Sequence, residues 1–366
     1  MKNAAIASLD AWPLNAAMSQ PFAIATGTKT AIANVLVRVR LKDGACGWGE
    51  AAPSTHPGDI TQAQALSGIL RQRDRLVGKP VTRFRDLLEE VDLSLGPKFG
   101  AARAAVSMAV LDAWGRSRGV PLRILFGGAE DRVRSDVTVT IVPAEEAARD
   151  ARRITALGVR IIKIKIGRDF DSDLDRVLAV SRAAPKSKLF LDANCGYGPS
   201  ESLKFLAALK KRGIRPILFE QPAQRGDWDG LAAVQKHGKV PVAADESVRS
   251  RADAWELVRR KAAAVVNIKL MKCGVIEAWE IALLCRAAGV ELMIGGMVES
   301  PLAMTCGAHL AAGVGRFRVV DLDTPLWFKT NPMRGVTFGR GGLYDLSGVK
   351  AGIGVVPGPA LLKTLR

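Results

Sequence analysis

From residue 35 the chain alternates, with Leu36 the one apolar residue out of phase. Val35, Val37, Val39 and Leu41 are separated by Leu36, Arg38 and Arg40, then come Lys42, Asp43-Gly44 and a return run from Ala45 to Gly49. Period two interrupted by Asp-Gly predicts a β-hairpin over 35–50. Longer segments at about 61–75 and 99–118 carry helical spacing, and in the second Ala102, Val106, Ala109 and Ala113 share one face. Residues 1–125 therefore read as an α+β domain. The turn-rich piece Phe126 to Asp131, with Gly127-Gly128, marks its boundary.

Beyond it the pattern changes. Short apolar runs at 137–142, 160–166, 188–192, 216–220, 240–245, 264–270, 291–296 and 317–323 carry polar or small residues at or near their ends. Helical stretches between them stop near Gly158, Gly213, Gly238, Gly289 and Gly313, where glycine takes a left-handed cap at least cost. The strand ends fall at Thr140, Lys165, Asp192, Glu220, Asp245, Lys269, Gly295 and Asp321, in steps of 24 to 28 residues. Such a step holds one strand and one helix. Parallel strands need helical crossovers, and eight such units close a (β/α)8 barrel, here over 126–340. A doubly wound open sheet is the alternative, but no GxGxxG follows the first strand. The last stretch, 341–366, is expected to return to the first domain.

Composition narrows the chemistry. The 366 residues are 48% hydrophobic and 24% charged, which excludes a fibrous or disordered chain. Five widely spaced cysteines contain no CxxC pair, so a disulfide framework or zinc ribbon is not expected. With three histidines, His56, His237 and His309, chemistry has to rest on lysines and carboxylates. The formal charge of +17 raises affinity for polyanions, but the basic residues are scattered, so no dedicated nucleic-acid partner is read. The first 18 residues lack the apolar core of a signal peptide, and no run reaches the length of a membrane span. The expectation is a cytoplasmic protein without a membrane partner, its oligomeric state open.

In a (β/α)8 barrel the functional face is built from the carboxyl ends of the strands. Those ends carry Lys163 and Lys165, Asp192 and Asn194, Glu220, Asp245 and Glu246, Asn267 and Lys269, and Asp321 and Asp323. Asp192, Glu220 and Asp245 come from three consecutive strands. Three like charges held together call for a cation, and oxygen-only ligation favours a hard ion such as Mg²⁺. The alternative is that each acid is a helix cap or a loop ion pair. Lys163 and Lys165 point to the same side of "VRIIKIKIG", and mutual repulsion is expected to lower their basicity. Lys269, in phase with Asn267, lies four strands away and so opposite Lys165. Two amines facing across a bound carboxylate suggest that one removes the α-proton, the metal stabilises the resulting enediolate, and the other returns a proton to the opposite face. Lys163 would hold the enediolate and tune its neighbour.

The pieces "KIKIG", "LDANCGY", "FEQP", "ADES" and "NIKLMKCG", with "GWGEAAP" and "GGMVES", resemble the enolase superfamily and within it the muconate-lactonising-enzyme subgroup. The resemblance implies an N-terminal capping domain whose loops near 20–30 and 50–60 close over the barrel. It also implies one Mg²⁺ on Asp192, Glu220 and Asp245, acid–base Lys165 and Lys269 with Lys163 in support, and Asn194, Glu246 and Asn267 around them. Mandelate-type members use a seventh-strand histidine, and none occurs between 238 and 308.

On the eighth strand "RVVDLDTPL" carries Asp321 and Asp323 as a DxD like that of the dipeptide epimerases, where the pair receives a dipeptide's free α-ammonium. Thr138, Thr140, Met297, Glu299 and Thr26 match lining positions. The stretch "PFAIATGTKT" has Lys29 but no arginine, so the second residue of the dipeptide is open among acidic, basic and hydrophobic. The competing readings are an N-succinylamino-acid racemase, an o-succinylbenzoate synthase, and a non-catalytic basic binding protein.

Overall fold

A computed structural model describes residues 4–24, 27–53 and 59–365. The expected hairpin is part of a larger sheet. Gly27–Leu41 pairs on one side with Cys46–Ala51, in register from Val35 opposite Ala51 to Arg40 opposite Cys46. On its other side lies a 19-residue strand, Ile6–Ile24, that the alternation did not announce. Asp10 and Pro13 obscured it. As the edge strand it can place a proline, which has no N–H to donate, and Asp10 pairs with Arg38 at 2.9 Å across the sheet.

The long helix Gly100–Arg118 packs against the third strand, and the two touch through backbone. A Cβ on Gly47 would lie 2.1 Å from the Ala109 carbonyl oxygen, and one on Gly49 would lie 2.0 Å from that of Ala105. This contact explains "GWG": only glycine lets strand and helix approach so closely. The segment read as one helix over 61–75 is two, Gln62–Leu70 and Arg73–Leu76.

Eight parallel strands follow in barrel order: Val137–Val139, Ile161–Lys165, Lys188–Asp192, Phe219–Glu220, Val242–Ala244, Val265–Lys269, Glu291–Gly295 and Phe317–Val320. They are shorter than the apolar runs. The first stops before Thr140, and the fourth has two residues. Strands one and eight meet where the Asp136 N–H donates to the Val320 carbonyl at 2.8 Å and the Leu322 N–H donates to Ser135 Oγ at 2.8 Å. The fold is the expected modified (β/α)8 barrel with an α+β cap.

Phe190, Leu218, Ala243, Val265, Met293 and Val319 form a separate buried cluster inside the barrel. Two residues further along the same strands stand Asp192, Glu220, Asp245, Asn267, Gly295 and Asp321. Period two thus stacks a polar storey on an apolar one. Ile162, Ile164 and Ile166 belong to the outer core. The chain's end meets the N-terminal part: the Ile353 N–H donates to Asp112 Oδ1 at 2.7 Å, and Arg116 donates to the Val355 carbonyl at 3.0 Å.

Two of the five helix stops differ from expectation. Gly158, Gly213 and Gly289 take positive φ, but Gly238 has φ −71° and the left-handed residue is Lys239. Gly313 lies inside the helix Pro301–Val314, where its missing side chain admits Phe126, and Gly315 makes the turn.

His309 is fully buried in that helix. Its Nδ1 accepts the Arg123 N–H at 3.0 Å, and Nε2 faces the Ile353 carbonyl at 2.9 Å, which fixes a neutral ring protonated on Nε2. Burial pushes its pKa down to about 4. The unfolded chain therefore takes up a proton near pH 6.5 that the folded one refuses. The contribution is full above that pH and is lost as pH falls toward 4, a change of about 3 kcal/mol. Urea unfolding of wild type and His309→Gln at pH 8 and pH 5 is expected to show the wild-type advantage shrinking by most of that amount.

Candidate active site

The polar storey is an ion-pair web. Lys163 Nζ lies 2.9 Å from Asp192 Oδ2, 2.8 Å from Glu220 Oε2 and 2.6 Å from Asp321 Oδ2. Lys165 Nζ donates to the same Asp192 Oδ2 at 2.6 Å. Across the barrel Lys269 Nζ lies 2.6 Å from Asp245 Oδ2. All of these side chains are buried. Asn267 Nδ2 donates to Glu220 Oε1 at 2.6 Å, Asn194 Nδ2 donates to Glu246 Oε1 at 3.1 Å, and the Asn194 N–H donates to Asp192 Oδ1 at 2.9 Å.

The expected lowering of lysine basicity does not hold for Lys163. Burial pushes Lys163 down, but Asp192, Asp321 and Glu220 outweigh it and hold the ammonium well above the usual lysine range. Lys269 is likewise raised, by Asp245 and Glu220 against burial. Repulsion between neighbouring amines is the smaller effect because each lies within about 3 Å of a carboxylate. Burial pushes Asp192 and Asp245 up, yet their lysine partners hold both below the usual carboxylate range. Glu220 is raised by burial and by its two acidic neighbours.

Could these acids hold a hard cation? Asp192, Glu220 and Asp245 are all-oxygen donors on consecutive strands, at most 2% exposed. A compact cation already gathers two of them, since one Lys163 ammonium touches both Asp192 and Glu220. Among the described residues no three acids stand together as a closed cage. Asp192 is drawn to Lys163 and Lys165, and Asp245 to Lys269 and Lys272. The donor set fits Mg²⁺ in chemistry and charge.

The residues expected to line the pocket come together in part. Phe22, Lys29, Thr138, Met297, Asp321 and Asp323 share a cavity with all three lysines and Asn194. Asp323 Oδ2 accepts the Thr138 N–H at 2.7 Å. Glu299 folds back so that Oε1 accepts the Met297 N–H at 2.6 Å, and burial raises it to about 8. Thr26 lies outside the described residues. Lys29 Nζ donates to the Pro53 carbonyl at 2.9 Å, and burial lowers its basicity.

Residues 11–127 match the family model described as mandelate racemase/muconate lactonizing enzyme, N-terminal domain, and 146–360 match enolase C-terminal domain-like. An aromatic dipeptide epimerase of Herpetosiphon aurantiacus is 43% identical over 96% of this chain and 98% of its own. An L-Ala-D/L-Glu epimerase of Bacillus subtilis is 35% identical over 94% of this chain and 95% of its own. The structure of a dipeptide epimerase from Enterococcus faecalis, complexed with Mg and the dipeptide L-Leu-L-Tyr, overlays with a TM-score of 0.91. It is 33% identical and covers 96% of this chain and 99% of that one.

Sequence reasoning passed over three buried residues of the storey: Asp136, Gln221 and Lys272. Gln221 Oε1 accepts the N–H groups of Asp245 and Ser247 at 2.9 and 3.2 Å, tying the ends of strands four and five. Lys272 sits in the quoted "NIKLMKCG", and the short turn Leu270–Cys273 brings it back under Asp245. Its Nζ donates to the Asp245 carbonyl at 2.8 Å, to Asp245 Oδ1 at 2.9 Å and to the Asn267 carbonyl at 2.7 Å. Lys272→Met removes the donor from three buried oxygens. Urea unfolding is expected to show a loss of roughly 2–4 kcal/mol.

Proposed function

The chain belongs to the mandelate racemase/muconate lactonizing enzyme family, and we propose that it works there as a Mg²⁺-dependent dipeptide epimerase, inverting the α-carbon of the C-terminal residue of an L,L-dipeptide. The observation that carries this reading is the pairing of Lys165 and Lys269, on strands two and six of eight, in one cavity that also presents Asp321 and Asp323.

Inversion follows from opposition. A neutral amine on one side takes the α-proton, and an ammonium on the other side gives one back to the opposite face. Reversing the reaction swaps the roles, and no proton is gained or lost overall. Lys163, held as an ammonium by three carboxylates, keeps positive charge beside the substrate's carboxylate as the α-carbon is deprotonated. Asp192, Glu220 and Asp245 would hold the Mg²⁺, which would supply further positive charge to stabilise the deprotonated substrate. Lys272, Gln221 and Asn267 hold Asp245 and Glu220 in place. At the eighth strand Asp321 and Asp323 offer acceptors to a free α-ammonium, which an N-acylated amino acid lacks.

For the second residue of the dipeptide we favour an apolar side chain. Phe22, Met297 and Val298 give the cavity wall its large apolar side chains, and the cation Lys29 in the same wall is already engaged by the Pro53 carbonyl. All five cysteines are unpaired, which supports a reducing, cytoplasmic setting.

In D₂O, wild type with Mg²⁺ is expected to place deuterium on the second residue's α-carbon, and L-Ala-L-Phe is expected to exchange at least tenfold faster than L-Ala-L-Glu. Lys165→Ala and Lys269→Ala should each cut epimerisation by about 10²–10⁴, each sparing exchange from one epimer. Undiminished exchange in the double variant would overturn the mechanism. Turnover of N-succinylamino acids that ignores Asp321→Asn would favour the racemase reading instead.

A further inference from the structure

Beneath Asp321 lies a third acid. Asp136 precedes the first barrel strand and is in phase with Thr138, so its side chain enters the barrel one step below the pocket wall. It is 1% exposed. Its backbone is fully used: the N–H donates to the Val320 carbonyl, and its own carbonyl accepts Ser135 Oγ at 3.0 Å. Both carboxyl oxygens, in contrast, meet no donor among the described residues.

The charged groups that face it are Asp321 and Asp323 from the end of strand eight and Lys163 from strand two, with the Asp321 carboxyl within hydrogen-bonding reach. Lys163 does not serve it, because its contacts run to Asp192, Glu220 and Asp321. Two buried carboxylates facing each other with no donor between them cannot both be ionised. The proton has to reside on one. Asp321 has an ammonium at 2.6 Å and Asp136 has none, so the proton is placed on Asp136.

Building on the dipeptide reading, we propose that Asp136 stays protonated at neutral pH and donates a hydrogen bond to Asp321, making it a positioning residue that orients the ionised Asp321 toward the substrate's amino group. The pair then carries one negative charge. That leaves the DxD acidic enough for an ammonium without adding a fourth anion around Lys163. Asn at 136 can still donate, whereas Leu cannot.

The test compares wild type, Asp136→Asn and Asp136→Leu. Infrared difference spectra of the substrate-free proteins at pH 7 should show a protonated-carboxyl carbonyl component that Asp136→Asn removes. In dipeptide epimerisation, Asn should hold KM within about threefold. Leu should raise KM at least tenfold while kcat moves less than threefold. Equal KM values for Asn and Leu, or spectra in which Asp136→Asn removes only carboxylate absorption, overturn the proposal. The infrared comparison needs neither turnover nor the Leu variant. It therefore decides the proton even if no dipeptide is a substrate, an outcome that would count against the functional reading alone.

Discussion

Charge matching among buried groups governs this molecule. At the barrel mouth three carboxylates from consecutive strands are met by Lys163, Lys165, Lys269 and Lys272 at 2.6–2.9 Å. Burying any of these groups unpaired would cost several kcal/mol, so the acids and amines are tolerable only together. The same matching sets the chemistry. Contact with Asp245 holds Lys269 as an ammonium, and it becomes a base only when that carboxylate is drawn elsewhere. The web therefore couples the protonation of the amines to whatever cationic or anionic groups enter the mouth.

Positioning comes from a second buried network between cap and barrel. Glu50, at the end of the third cap strand, accepts Asn34 Nδ2 at 2.7 Å, the Ser300 N–H at 2.9 Å and Ser300 Oγ at 2.5 Å. Ser300 is the N-cap of the helix Pro301–Val314, and Asn34 also donates to the Val298 carbonyl at 3.0 Å. The hairpin and the pocket loop Gly296–Val298 are thereby fixed to each other. Burial raises the Glu50 carboxyl above the usual range, and the donors from Ser300 and Asn34 offset only part of that rise. The cap is thus attached by polar contacts at the point where its residues line the cavity.

Much of this was legible in the chain because two periodicities coincide. Alternation within strands put Lys163, Lys165, Asp192, Glu220, Asp245 and Lys269 on the inner side, and the near-constant spacing of strand ends put them at one level. The strand Ile6–Ile24 was not legible, because an edge strand tolerates Asp10 and Pro13 that elsewhere signal a break. Gly238 and Gly313 misled for a related reason: glycine also serves close packing, and a neighbour, Lys239 or Gly315, made the turn. Pairwise reasoning on adjacent lysines gave the wrong direction for Lys163, because the deciding carboxylates come from three other strands. Asp136 lies in no motif, and Gln221 and Lys272 lie inside "FEQP" and "NIKLMKCG" without any pattern that marks them out. Their roles arise from burial and from what they touch.

The central claim is geometric: the web opens onto a cavity in which two amines address one carbon from opposite sides. A crystal structure of the protein with Mg²⁺ and a slowly turned-over L,L-dipeptide tests it most directly. The account predicts Lys165 Nζ and Lys269 Nζ on opposite faces of the second residue's α-carbon, with Asp192, Glu220 and Asp245 on the ion and the ligand's ammonium at Asp321 and Asp323. Both amines on the same face, or an ion bound away from those three acids, would contradict it.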